Sequence, residues 1–541
     1  MMNKKNNKSS FKKDSFKSKK SVPRNIKIEE IAEMNPSELK GKRVSVKGIV
    51  DRVVQTGGPT VFYISDGTGT LALKAFQGAG IRSYPDIEEE DAISSIVSLE
   101  EFKGEVEGEV SILEKLEDKD KESLIEEMST IERKRAEIEP VDFMVKSPIL
   151  DKLKDPFIKA ATEIRLAIFQ NRPIIVRHHN DADGYSSGFS LEKAIIPLIQ
   201  EQHKGIKAVW EYYTRAPCSA PFYEIDDSIR DTANSLRNVA KFSNKLPLVI
   251  IADNGSSPED LLAIKQGKVH GIDFIVIDHH FFDEDVISPE VLVHINPFLV
   301  GENGSAFSAG MLCAELARFI NPSIENIEPI PAMAGLADRI DNPEVMSDYL
   351  KIAKDKGYDK ELLHNISSLI DFVSAKLKFM EAREYIEVLF GEPREKQKAL
   401  VDVMAPYIDG LEAKGLKIAQ AASKVEKINN KYLQLLFVEE SFPGFGFYPK
   451  PGKAIGLLHD SFSKDKKEGV VSAGVLNSAI TMRATDEANF SVHELIEFLN
   501  KKLPDAFVEG GGHKNAGAIT FIPSKQKEIL DCLREYIKNI K

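Results

Sequence analysis

Three short apolar runs in one stretch of this chain each end in acidic or imidazole side chains. That repetition constrains the fold more than any other feature. Pro173-Ile-Ile-Val176 leads to His179, Asp181 and Asp183 before Gly184 opens a helix; Pro247–Ala252 leads to Asp253-Asn-Gly-Ser256; Phe274-Ile-Val-Ile277 leads to Asp278-His279-His280. Apolar runs this short, alternating with helical stretches, read as buried strands of a parallel sheet. Such sheets keep their ligand sites beyond the strand carboxyl ends. A fourth run, Val291–Ile295, ends in Asn296-Pro297, and the small-residue stretch Ala332–Ala337 ends in Asp338-Arg339. The latter can return one more carboxylate to the same edge.

Carboxylates crowded on one edge repel unless a cation lies between them. Carboxylate oxygens mixed with imidazole, without thiolate, favour Mn²⁺, with Mg²⁺ as the alternative, over structural zinc. The set exceeds what one ion requires. Two divalent cations about 3.5–4 Å apart, sharing a bridging carboxylate, would use it fully.

The rest of the chain sets the context. At 541 residues it is long enough for several domains, and its three cysteines, Cys218, Cys313 and Cys532, are too scattered for a CxxC zinc pattern or a disulfide framework. No apolar run approaches the roughly 20 residues that span a bilayer, so no membrane partner is expected. The Lys-, Asn- and Ser-rich start has no secretory h-region, and the expected location is cytoplasmic. Residues 1–20 hold eight lysines and one aspartate, so the remainder is more acidic than the net charge of −12 suggests. An acidic body argues against a broad nucleic-acid-coating surface, so a polyanion must bind in a local groove or through metal.

Between residues 39 and 112 short alternating strands are punctuated by glycine turns such as Gly67-Thr-Gly69, which suggests a small closed barrel. The pattern resembles the OB-fold. That resemblance implies bases stacked on aromatic rings beside basic side chains, with Phe62, Tyr63, Phe76, Lys47 and Arg52 as candidates. The competing reading makes Phe62 and Phe76 barrel core. Downstream, strand-like runs include Ala454–Leu458, Gly469–Leu476 and Ala479–Ala484, followed by Gly510-Gly-Gly-His513. Taken alone, the glycine cluster is a turn whose backbone can approach a phosphate closely.

Together, His-Asn-Asp-Ala-Asp-Gly (179–184), Ala-Asp-Asn-Gly (252–255), Asp-His-His (278–280) and Gly-Leu-Ala-Asp (335–338) resemble the four ordered motifs of DHH-family phosphoesterases. Within that family the chain looks most like RecJ-type nucleases of archaeal kind. The resemblance implies that Asp253 bridges two cations. Asp183, His279 and Asp338 would complete one site, and Asp181 and His179 would serve the other. His280 would contact the scissile phosphate or donate a proton, and Asp278 would orient a neighbour. Some family branches place the first-motif histidine where this chain has Arg177, and His178 competes with His179 for the role. The Gly510–His513 stretch resembles the phosphate-holding loop of the companion DHHA1 domain, with Arg483 assisting.

The expected fold class is multidomain α/β. It comprises a disordered basic tail (1–30), an OB-like barrel (31–115), a helical connector (116–146), a parallel-sheet DHH domain (147–345), a helical linker (346–428) and a smaller α/β DHHA1 domain (429–541). The expected activity is a two-metal exonuclease on single-stranded DNA or RNA. The alternatives are hydrolysis of short oligonucleotides, cyclic dinucleotides or other small phosphoesters, and a scaffold role among DNA replication or repair proteins. Retention of every expected carboxylate argues against the scaffold alone.

Overall fold

The computed structural model describes residues 23–540 apart from 36–38, 103–104, 204–207, 219, 243–244, 378–382 and 443–446. The chain forms two compact units, one ending at Thr130 and one beginning at Ile131. Among the described residues no helix is long and apolar enough to cross a membrane.

The first unit is a closed five-stranded barrel. Its strands are β1 (Arg43–Gln55), β2 (Thr60–Ser65), β3 (Thr70–Ala75), β4 (Ala92–Phe102) and β5 (Glu105–Lys115), in the order β1-β2-β3-β5-β4. Alternate residues fill it: Val44, Val46, Phe62, Ile64, Leu71, Leu73, Val97 and Leu99 are buried. Residues 1–22 of the expected tail lie outside the described residues. The remainder of that tail is ordered, against expectation: Asn25 bridges to Ser45 in β1, and Ile26 and Ile28 are buried in the barrel core. Two apolar residues in an otherwise polar segment suffice to anchor it.

The second unit holds two sheets. The first is wholly parallel, ordered β10-β9-β8-β6-β7, with β6 (Ile174–His178), β7 (Tyr213–Pro217), β8 (Leu248–Ala252), β9 (Asp273–Ile277) and β10 (Val293–Ile295). Strands β6 and β8 are buried along their whole length, as expected of strands covered on both faces. The region expected to be a linker is core instead. Leu363, Ile366, Leu369 and Ile370 of helix Lys360–Leu377, and Val401 and Ile408 of helix Arg394–Ala422, join the cluster that covers the parallel sheet. The dense Lys and Glu of these helices mark only their outer faces.

The other sheet runs β11-β12-β13-β14-β16-β15, from β11 (Lys424–Ile428), β12 (Lys431–Phe437), β13 (Gly469–Val475), β14 (Ala479–Ala484), β15 (Glu509–His513) and β16 (Ala516–Thr520). It therefore begins inside the stretch assigned to the linker. Ala454–Leu458, expected as a strand, lies in helix Pro451–Ser463, where Ala454, Ile455 and Leu458 are buried at helical spacing. A five-residue apolar run does not distinguish the two periods, and Pro451 at the first turn decides for helix.

Candidate metal centre and substrate cavity

The sheet ladder continues one residue beyond the strand ends and fixes the rim. Asp253 N donates to Ile277 O at 2.9 Å, and Asp278 N to Ile295 O at 2.9 Å. Asp253 holds a left-handed backbone, φ +60°, before Gly255 at φ +102°. Such a conformation in a non-glycine residue costs about 1–3 kcal/mol and persists only where the surroundings impose it.

Side chains from three adjacent strand ends and one helix end converge here. Asp183 of helix Ala182–His203, Asp253 after β8 and His279 after β9 have ligand atoms within 4.8 Å of one another, as do His179, Asp181 and Asp253. Asp253 belongs to both groups. His279 Nε2 is 3.5 Å from Asp253 Oδ1 and 3.5 Å from Asp338 Oδ2. Its Nδ1–H donates to Gly304 O at 3.2 Å, which leaves the Nε2 lone pair facing the carboxylates. His179 Nδ1 lies 3.0 Å from Asp181 Oδ2 and 3.6 Å from Asp253 Oδ2. His178, its competitor, is fully buried against Tyr185, with Nδ1–H donating to His179 O at 2.7 Å. Arg177 pairs with Asp231 and Asp227. Of the three candidates, only His179 joins a ligand group among the described residues.

The donor set fits cations. The Oδ2 atoms of Asp183, Asp253 and Asp338 are buried and have no hydrogen-bond partner among the described residues. Unpaired buried carboxylate oxygens cost too much to persist without compensation. Burial, followed by the charges of Asp253 and Asp338, raises the Asp183 carboxyl well above the usual carboxylate range. Burial lifts Asp338 to about 6, against the pull of His279. Burial opposes protonation of His279, but Asp338 and Asp253 override it and raise its proton affinity.

Sequence reasoning named Asp278 as an orienting residue but missed the rest of the polar chain that holds His280. Asp278 Oδ1 accepts Nδ1–H of His280 at 2.7 Å and N–H of His279 at 2.8 Å, while Oδ2 accepts N–H of Ser256 at 3.2 Å. Asn296 Nδ2 donates to His280 O at 3.0 Å and to Ser256 Oγ at 3.0 Å. His294 Nε2 lies 2.9 Å from the same Oγ. The Val-His-Ile-Asn sequence of β10 was the available signal: two polar residues at the end of a buried strand need partners.

The C-terminal sheet closes the cavity opposite. Arg483 on β14 lines it and makes no hydrogen bond or ion pair among the described residues. Gly456 makes room for the side chain, since a Cβ there would meet Arg483 Nε at 3.2 Å. Gly510, Gly511, Gly512 and His513 also line the cavity, but as strand β15 rather than the expected turn. A Cβ at Gly510 would meet Ala518 O at 2.2 Å and one at Gly512 would meet Ala516 O at 2.7 Å, whereas Gly511 faces open space. Two of the three glycines thus answer to the neighbouring strand, and Gly511 keeps the cavity open. His513 Nε2 is 3.9 Å from Asp338 Oδ2, and its ring stacks on His280. Burial, then His280 and His279, holds its pKa down to about 2, so the ring is neutral. Lys450 reaches the metal loop from this side, donating to Asn180 O at 2.8 Å.

The barrel candidates divide. Phe62 is fully buried in the barrel core and cannot stack a base; strand alternation turns it inward. Phe76 is 68% exposed, contrary to the core reading. Tyr63 and Arg52 face each other across β1 and β2, the guanidinium 4.4 Å from the ring centroid, and Lys47 is exposed. Phe102, missed in the sequence, is exposed with Lys74 over its ring at 4.5 Å.

Comparison with known proteins agrees with this architecture. The model of the DHH family, N-terminal domain, matches residues 173–337. An uncharacterized protein of Methanocaldococcus jannaschii is 35% identical over 559 residues, covering 98% of this chain and 72% of that protein. A solved DHH domain, from a member of a family of ribosomal proteins, is 36% identical with a TM-score of 0.74, covering 79% of this chain and 100% of that one. RecJ of Thermus thermophilus, solved in complex with Mn²⁺, shares the fold at 15% identity and a TM-score of 0.50, covering 76% of this chain and 57% of that one.

Proposed function

Because this chain belongs to the DHH family of phosphoesterases, we propose that it is a RecJ-like phosphodiesterase that degrades single-stranded DNA or RNA from an end. One observation carries the reading: three buried carboxylate oxygens, on Asp183, Asp253 and Asp338, lack donors among the described residues, on a rim where Asp253 belongs to three ligand groups. His179, Asp181 and Asp253 would hold one cation, and Asp183, Asp253, His279 and Asp338 the other. Manganese, the ion in the T. thermophilus RecJ complex, is the ion we favour, and magnesium is the alternative. When bound, such a pair supplies Lewis acidity to the phosphoryl group and lowers the pKa of water.

The protein's own groups do the rest. Arg483 and His513 line the side of the cavity facing the rim, where they hold the substrate phosphate. Burial opposes protonation of His280, but Asp278 raises its proton affinity and takes the Nδ1–H. Nε2–H is then free to protonate the leaving oxygen. The barrel order β1-β2-β3-β5-β4 supports an OB-like module, with Tyr63, Arg52, Lys47 and Phe76 as the strand-binding surface. A second reading, hydrolysis of short oligonucleotides, cyclic dinucleotides or other small phosphoesters, is favoured by the cavity of about 510 Å³.

The deciding experiment offers end-labelled DNA and RNA in both orientations, and a cyclic dinucleotide, with Mn²⁺ or Mg²⁺. Stepwise shortening of a linear strand is expected. Turnover of the cyclic dinucleotide alone would favour the second reading, and no metal-dependent hydrolysis of any of them would overturn both. Removal of residues 1–115 is expected to weaken activity on long strands more than on short ones.

A further inference from the structure

The cavity changes character away from the rim. Arg483 is the sole lysine or arginine among its described lining residues, and it sits at the inner end with His513. From His513, β15 runs outward to Glu509, about 13 Å at the rise of an extended strand. On helix Val492–Lys502, His493 and Glu497 lie one turn apart on one face. Both elements thus carry a histidine and a glutamate along the cavity wall. Across from them stands Glu224, whose carboxyl is raised by burial and by the charges of Asp227, Asp226 and Glu509. Asp283 also lines the cavity.

Aromatic rings lie among these carboxylates. Phe222, Phe281 and Phe282 line the cavity, and the Phe281 ring is 5.1 Å from that of His493. His493 Nε2–H donates to Gly512 O at 3.0 Å, which fixes the ring. Flat apolar surface suits a base, whatever its identity. Carboxylates accept hydrogen bonds from hydroxyls and repel phosphate.

We propose that the outer cavity receives the terminal nucleoside of the substrate, base against Phe281 and His493, and selects a terminus ending in hydroxyl over one ending in phosphate. Glu497, Glu509 and Glu224 accept from the sugar hydroxyls, and a terminal phosphate meets three carboxylates with no lysine or arginine other than Arg483 among the described lining residues. The proposal rests on the phosphodiesterase reading and specifies which ends that activity accepts.

The test uses the full chain with Mn²⁺ and short DNA and RNA oligonucleotides carrying hydroxyl or monophosphate at each end. Initial rates are compared at the end from which mononucleotides are released. A terminal phosphate is expected to slow release at least ~10-fold. In Glu497→Gln/Glu509→Gln the ratio is expected to fall within about 3-fold, with Glu224→Gln shifting it in the same direction. Equal or faster release from phosphorylated ends would overturn end selection while leaving phosphodiester hydrolysis intact. An unchanged ratio in all the variants would do the same. Absence of hydrolysis from either kind of end would instead overturn the underlying reading, and this proposal with it.

Discussion

The imidazole rings of His280 and His513 stack with centroids 5.0 Å apart and planes 23° apart, joining the edge of the parallel sheet to β15 of the other sheet. A neutral His513 contributes ring contact to this junction, not charge. His513→Ala is expected to lower kcat/KM about 10–100-fold with Mn²⁺ affinity retained. His513→Gln should recover part of the loss. Steady-state kinetics beside metal titration calorimetry check both; an equal loss of metal affinity would make His513 a ligand.

Asp253→Asn is expected to abolish hydrolysis, because the residue joins the His179–Asp181 group to the Asp183–His279 group. Calorimetry should show Mn²⁺ binding weakened at both sites rather than one. Thermal unfolding should lose the Mn²⁺-induced rise expected of the unaltered chain. Retention of one site at full affinity would contradict a bridging role.

Asn296 restrains His280 without reaching the cavity, through its two bonds to His280 O and Ser256 Oγ. Asn296→Ala is expected to reduce kcat about 10–100-fold while KM changes little. A shift in the pH–rate profile should accompany it, because the His280–Asp278 pair loses its support. Unchanged kcat with a lower melting temperature would make Asn296 merely structural.

Asp260 gives a pH signature separate from catalysis. Burial raises its carboxyl to about 7, against hydrogen bonds from Ser257 and Tyr223 N. The unfolded value is near 3.9, so the fold holds a proton that the unfolded chain releases. Its stabilising contribution is full below about pH 4 and is lost as pH rises through 7. Asp260→Asn, which mimics the neutral form, should melt close to the unaltered chain at about pH 4 and increasingly above it up to about pH 7, levelling off beyond. Melting curves in chelator across that range measure the difference.

The parallel sheet was legible because buried strands such as Leu248–Ala252 are wholly apolar and end abruptly in charge. The acidic rim was legible for the same reason: burying Asp183, Asp253 and Asp338 together has few explanations besides cations. Position along a strand could not reveal which face a residue takes in a closed barrel, so Phe62 and Phe76, given the same two readings, divide between core and surface. Nor could it separate a glycine needed by a ligand from one needed by β16, as at Gly510. The partners of Asn296 and His294 come from strands and loops tens of residues away, and only the folded chain brings them to Ser256.

The left-handed backbone of Asp253, at φ +60°, narrows the routes by which a descendant of this chain can fall silent. Aspartate, asparagine and glycine tolerate that conformation; alanine and branched residues distort it. A single exchange to asparagine or glycine therefore removes the shared negative charge and spares the rim, leaving a folded surface without turnover. An inert relative that keeps this architecture is accordingly expected to carry one of those two residues at the corresponding position.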